Sequence, residues 1–211
     1  METLPGPYPV KAHTPKARMF LLFFSVAICT GTLFLLQAKL TKPRKAKDFY
    51  SFDVLDLRGR VVSLEKYRGK ASLVVNVASR SEQTERNYRE LQELHRELGP
   101  SHFNVLAFPC AQYRDSDLGT NRDIDSSANS NSAISFPIFG QIKIMGSEAD
   151  PAFKFLTDSA QKIPKWNFWK FLVNPEGKVV KFWKAEEPME AIRQEATALV
   201  REIILRKRAE L

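Results

Sequence analysis

Cysteine is scarce in this chain, with only Cys29 and Cys110 among 211 residues. That excludes a disulfide-rich secreted scaffold. The part after residue 47, about 160 residues, is long enough to bury a core without such staples. An excess of either charge sign is missing from most of the sequence. The formal net charge is +8, but residues 1–47 hold eight Lys and Arg against Glu2 alone, so seven of those net charges sit there. The remainder is almost neutral and carries no electrostatic footprint for nucleic acid. Residues 48–211 contain no Asn-x-Ser/Thr glycosylation signal, and neither an internal repeat nor a low-complexity tract is present.

What is present begins with a run of apolar residues. Residues 19–36, MFLLFFSVAICTGTLFLL, carry no charge. At about 1.5 Å per residue such a helix spans roughly 27 Å, close to the thickness of a hydrocarbon core. The run reads as a single transmembrane anchor. The alternative is a cleaved signal peptide, whose apolar region is usually about 7–15 residues. The exit Gln37-Ala38-Lys39-Leu40 offers no convincing small-x-small cleavage site. The expected organisation is a cytoplasmic tail at 1–18, the anchor at 19–36, a basic linker at 37–47 and one domain at 48–211. The positive-inside rule by itself slightly favours a cytoplasmic location for that domain, because more Lys and Arg follow the span than precede it.

The domain begins with a predicted hairpin, residues 49–54 and 61–64 around Arg58-Gly59. Residues 72–78 are short, apolar and rich in β-branched side chains, the pattern of a strand buried on both faces. Tyr88, Leu91, Leu94, His95 and Leu98 recur at helical spacing over 83–98, and Gly99-Pro100 stops the helix. Residues 103–108 form a second buried strand, and strand, helix and strand make a βαβ unit with parallel strands. A polar loop with a short helix is expected over 115–132, with apolar structure resuming at 136–139. A helix follows at 150–156 with Pro151 at its first position. Residues 168–173 and 178–183 form a hairpin around Asn174-Pro175-Glu176-Gly177. Met189, Ile192, Ala196, Leu199, Val200 and Ile203 mark a terminal amphipathic helix. A parallel βαβ unit, a hairpin and a last helix make an α/β, thioredoxin-like plan.

Three segments carry a resemblance. Asn76-Val77-Ala78-Ser79-Arg80-Ser81-Glu82-Gln83-Thr84 resembles Asn-Val-Ala-Ser-x-Cys/Sec-x-x-Thr, the active-site loop of glutathione peroxidases. Phe108-Pro109-Cys110-Ala111-Gln112 resembles that family's Phe-Pro-Cys-Asn-Gln, and Trp166-Asn167-Phe168 its Trp-Asn-Phe. The likeness covers about residues 46–208 and implies a thioredoxin-like fold of the glutathione peroxidase type. The opening, a short tail, one span, a basic linker and Phe49-Tyr50, is similar to the family's membrane-anchored members. It implies an endoplasmic-reticulum membrane protein with a luminal domain, opposite to the charge bias. The implied activity is thiol-dependent reduction of hydroperoxides in the response to oxidative stress. The implied reductant is glutathione or a protein dithiol, such as a protein disulfide isomerase. No glutathione-binding signature is evident, and no metal is implied. The short segment at 160–164, where tetrameric members carry an extra loop, implies a monomer.

The resemblance places the family's catalytic positions at Ser81, Gln112, Trp166 and Asn167, with Ser81 where the nucleophile should be. A thiolate or selenolate attacks the peroxide O–O bond, and an amide, an indole N–H and a helix N-terminus stabilise the anion. Ser81 lacks that chemistry. An alcohol ionises far above a thiol, and its oxygen has no sulfenic-acid route. A Ser-His-Asp hydrolase is excluded too, because His13, His95 and His102 lie outside the expected site loops. Two readings therefore stand: an impaired peroxidase, and a catalytically silent binding or regulatory relative.

Cys110 is the domain's single thiol. It reads as a small buried residue at a strand end, or as a redox thiol beside Gln112, since some family members pair this position with the nucleophile. Trp166 reads as core by its aromatic neighbours and as pocket by its resemblance. The 115–132 loop departs most from the family pattern. The ending Arg208-Ala209-Glu210-Leu211 is a loose echo of a Lys-Asp-Glu-Leu retention signal and equally the frayed end of a basic helix.

Overall fold

The computed structural model describes residues 48–78, 82–113, 119–122, 124 and 134–210, with the side chains of 82–84 left aside. The predicted anchor at 19–36, Ser81 and most of the 115–132 loop lie outside the described residues. Among those described, no helix is long and apolar enough to cross a membrane.

The central sheet has four strands in the order β4-β3-β5-β6: β3 (Ala71–Val77), β4 (Phe103–Pro109), β5 (Lys170–Val173) and β6 (Val179–Trp183). The predicted βαβ unit is present. β3 and β4 run parallel in register from Ala71↔Phe103 to Val77↔Pro109. Helix α1 (Glu82–Leu98) joins them. β5 is antiparallel to both β3 and β6.

All seven residues of β3 and all seven of β4 are buried, as strands covered on both faces must be. Their side chains alternate between two cores. Ala71, Leu73, Val75 and Val77 join Leu91 and Leu94 of α1 and Ile192, Ala196, Val200 and Ile203 of α3 (Met189–Ala209). Val74, Leu106, Phe108 and Cys110 face the other way, onto Phe153 and Leu156 of α2 (Pro151–Ala160).

The local signals explain the element ends. Gly99 takes φ 68° and its N–H donates to His95 O at 3.1 Å, closing α1. Asp150 caps α2 by accepting from Ala152 N and Phe153 N at 2.9 and 3.0 Å, ahead of Pro151. In the β5–β6 turn Gly177 sits at φ 81°, and a Cβ there would meet the Asp48 carboxylate at 2.7 Å. α3 runs to Ala209, so the basic C-terminal end is helical up to that residue.

Helix α2 runs four residues past the expected 156, and two boundaries differ for a local reason. Residues 49–51 are a 3-10 turn and not strand, because Asp48 accepts from Tyr50 N at 2.9 Å and caps it. The hairpin that follows is β1 (Asp53–Leu55) paired with β2 (Val61–Ser63). Phe168 and Trp169 do not extend β5, because Phe168 has φ 62°, a conformation no strand residue adopts. Within the polar loop, Ile124 N donates to Thr120 O at 3.1 Å, one helical turn of the short helix expected there.

Candidate active site

Three chain segments meet at the C-terminal end of β3. The first is β3 itself, whose end leads in sequence to Ser81. The second is the 110–113 turn after β4, tied on by Cys110 N donating to Val77 O at 3.0 Å. The third is the 164–169 turn before β5.

Asn76 fastens the third segment. Its side chain donates to Trp166 O at 3.1 Å and accepts from Trp169 N at 3.0 Å. Its own carbonyl accepts from Phe168 N at 2.7 Å, and its N–H faces Trp169 O at 3.4 Å. One fully buried asparagine thus makes four contacts to three residues of the 166–169 turn and supports the left-handed Phe168. The result is a division of side chains. Trp169 is buried, Asn167 is 3% exposed, and Trp166 is 40% exposed. The core reading of Trp166, natural from its aromatic neighbours, does not hold. Its indole lies on the surface against Tyr113, ring centroids 5.8 Å apart, and Tyr113 Oη donates to Pro164 O at 2.6 Å. Tyr113 therefore links the second segment to the third.

Gln112 plays a corresponding part on the other flank. Its Oε1 accepts from Ile144 N at 2.6 Å and Met145 N at 3.0 Å, and its Nε2 donates to Met145 O at 3.0 Å. The carboxamide is committed to the 144–145 backbone, leaving one N–H for any further partner. Outside it lies an open cleft of about 520 Å³ lined by Ala111, Gln112, Asn121, Gln141, Ile142 and Lys143.

Cys110 is wholly buried, with Sγ 3.9 Å from Gln112 Oε1. Burial pushes its thiol above the usual range, against the pull of the Gln112 and Ile144 amides. This is the geometry of a packed core cysteine. Tyr113 is likewise pushed up, by burial and then by the neighbouring Cys110. Among the described residues no group of three His, Cys, Asp or Glu could hold a metal.

The structure thus brings Gln112, Trp166, Asn167 and Cys110 to one end of the sheet, while Ser81 lies outside the described residues. Sequence reasoning missed Asn76, Tyr113 and Lys170 as parts of the site's frame. Asn76 and Lys170 each left a signal: a large polar side chain in a mostly apolar buried strand.

A family model for glutathione peroxidase matches residues 49–157. The chain belongs to the glutathione peroxidase family. It is 68% identical over 211 residues to a protein of Danio rerio described as "Probable glutathione peroxidase 8", covering 100% of both chains. The Homo sapiens protein of that description is 57% identical over 204 residues, covering 97% of both chains. "Glutathione peroxidase 7" of Bos taurus is 50% identical over 186 residues, 88% of this chain and 100% of that one. Among solved structures, the fold is similar to T. cruzi GPX1, with TM-score 0.61 and 28% identity, over 73% of this chain and 97% of that one. A thioredoxin-family thiol:disulfide interchange protein from Chlorobium tepidum shares the fold at TM-score 0.55 and 12% identity, over 73% of this chain and 96% of that one.

Proposed function

We propose that this family member is a membrane-anchored protein of thiol-dependent hydroperoxide reduction, weakened as encoded by Ser81. The observation that carries the reading is the 166–169 turn. Asn76 holds it at the end of the strand leading to position 81, with Trp166 at the surface and Asn167 packed beneath. Trp166, Asn167 and Gln112 are the donors that would meet an anion formed at position 81. With a thiol there, the anion attacks the peroxide and the donors stabilise the charge. With serine, the donors have no anion to receive near neutral pH. Glutathione or a protein dithiol of the disulfide isomerase class would return the thiol to its reduced form.

The domain scheme belongs to the same proposal: 1–18 cytoplasmic, 19–36 spanning the endoplasmic-reticulum membrane, 37–47 a linker, and 48–211 a monomeric domain in the lumen. It is supported by the uncharged run at 19–36 and by relatives similar over all 211 residues, the opening included. Protease treatment of intact microsomes tests it, since a domain digested without detergent is not luminal.

The activity is tested by steady-state loss of hydrogen peroxide with glutathione or a disulfide isomerase as reductant. The chain as encoded should turn over very slowly, and Ser81→Cys should gain more than about 100-fold, the order that preorganised donors contribute. Any residual thiol-dependent rate falls to Cys110, the domain's single thiol, whose burial keeps it small, and Cys110→Ser should abolish it. Robust turnover surviving Cys110→Ser would overturn the mechanism. Ser81 itself favours a second reading, a binding or regulatory relative that keeps the pocket without turnover. Failure of Ser81→Cys to gain any rate would select it.

A further inference from the structure

Lys170 opens β5 between two aromatic residues and is 1% exposed, yet among the described residues it forms no ion pair. Its register partners Val75 and Trp183 are apolar members of the core beneath α1 and α3. The charged groups that face it are Glu90 from α1 and Glu186 and Glu187 from the turn before α3. Glu90 is already paired with Arg86 at 3.0 Å. Tyr88 of α1 contributes a ring edge to Phe168 at 6.2 Å, and Lys181 lies over the Trp183 ring at 5.8 Å.

The side chain makes one directed contact among these residues. Nζ donates to Phe168 O at 2.9 Å. Phe168 is the left-handed residue at the centre of the Trp166–Trp169 turn. Asn76 holds Trp166 O, Phe168 N and Trp169 N, and Phe168 O is the group in the middle that Asn76 does not reach.

We propose that Lys170 is a positioning residue whose Nζ completes the clamp on the Trp166–Asn167 turn, and that the clamp is tighter when the amine is protonated. The physical ground is the strength of the donor. An ammonium bound to a carbonyl is roughly twice as strong as a neutral amine in the same place. A lysine buried at the cost of its hydration, with three acids nearby and none bonded, is poised to lose that proton. Burial lowers its pKa to about 8, against the smaller raising effect of Glu90, Glu186 and Glu187. The inference rests on the reading of Trp166 and Asn167 as site donors, but its test does not depend on turnover.

The test is NMR of the full chain in detergent micelles, with lysine labelled at Cε and tryptophan at the indole nitrogen. Lys170→Met and Trp166→Phe assign the two signals. The Trp166 indole resonance should titrate between about pH 7 and the ordinary lysine value of about 10.4, with the same midpoint as Lys170 Cε. Lys170→Met should remove that transition and fix the resonance at its native high-pH position. Lys170→Arg should hold the low-pH position throughout. A native Trp166 signal that does not move over this range overturns the proposal, as does a transition that persists unchanged in Lys170→Met. If Lys170→Met does not fold, Lys170→Arg assigns the Cε signal in its place, and agreement of the native Trp166 and Lys170 midpoints decides. A Ser81→Cys chain that gains no peroxide turnover while Trp166 still follows Lys170 would sink the peroxidase reading and leave this one standing.

Discussion

The two turns flanking the end of β3 are held in different ways. The 166–169 turn is fastened by residues outside it, Asn76 and Lys170, so the Trp166 side chain is not spent on holding the turn. On the other flank the candidate donor is itself the fastener, since Gln112 spends its carboxamide on the backbone of 144–145. A site whose donors are positioned by other residues can lose a donor and keep its shape. A site whose donor is also the clamp loses both together. The family tetrad combines the two designs, and substitutions on the two flanks should separate them.

The largest effect should come from Asn76→Ala. It removes one buried and one part-buried side-chain hydrogen bond and leaves Trp169 N–H and Trp166 O without their partner. A loss of about 3 kcal/mol in unfolding free energy is expected from bonds of about 1 kcal/mol each plus unsatisfied buried groups. Urea denaturation measures it, and a loss below about 1 kcal/mol would mean that the aromatic packing alone fixes the turn. Gln112→Ala should cost less, about 2 kcal/mol, because Gln112 is only half-buried and water can replace part of what it gives up. The double variant should be additive to within about 0.5 kcal/mol unless the Tyr113–Trp166 contact couples the flanks.

Next in size is a pH effect on stability set by Lys170. Its folded pKa of about 8 lies below the ordinary lysine value. Between the two, the unfolded chain holds a proton that the folded chain has released, so stability rises with pH across that window. At neutral pH the depressed pKa corresponds to roughly 3 kcal/mol of lost stability, at about 1.4 kcal/mol per unit. Cys110 and the tyrosines Tyr50, Tyr67, Tyr88 and Tyr113 act in the opposite sense at alkaline pH, because burial raises their folded pKa values. Comparing native chain with Lys170→Met isolates the lysine. The native curve should gain on the variant from about pH 8 upward. Parallel curves would show that the amine is not buried as a charge.

Much of this fold is legible in the sequence because each core element follows one period. The runs at 72–78 and 103–108 alternate between two cores, and the 83–98 helix shows its stripe plainly. The predicted parallel pairing follows from the helix between them. What was not legible is where periodicity yields to single contacts. Asp48 turns residues 49–51 into a 3-10 cap, and the clamp on Phe168 delays β5 by two residues. Neither contact has a sequence period. The site shows the same divide. The motif positions at 112, 166 and 167 could be read by resemblance. Asn76 stands in a motif of that resemblance too, but that it, Tyr113 and Lys170 frame the turns could not be read, since a buried polar residue discloses its partner only in three dimensions.

The comparison of clamps sharpens at a buried basic group that clamps nothing. His95 lies in the same core as Lys170 and is 6% exposed. Its Nδ1 has no hydrogen-bond partner among the described residues, and its ring packs edge-on against Phe136 at 6.1 Å. The neighbouring anchor is Gln92, which exchanges two hydrogen bonds with Ser135 at 2.7 and 2.9 Å and fixes the 134–136 segment without help from His95. Burial lowers the His95 pKa, and no charge among the described residues offsets it. As pH falls below the ordinary histidine value of about 6.5, the unfolded chain takes up a proton that the folded chain refuses, so stability falls. The effect should be smaller than that of Lys170, whose shift is the larger. Replacing His95 by Leu should flatten the stability curve between about pH 5 and the ordinary histidine value, above the range where carboxylates titrate. It should leave the Trp166 resonance and its dependence on Lys170 untouched. If His95→Leu instead shifts the Trp166 titration, the two buried bases are coupled through the core, and the 166–169 turn is held by more than Asn76 and Lys170.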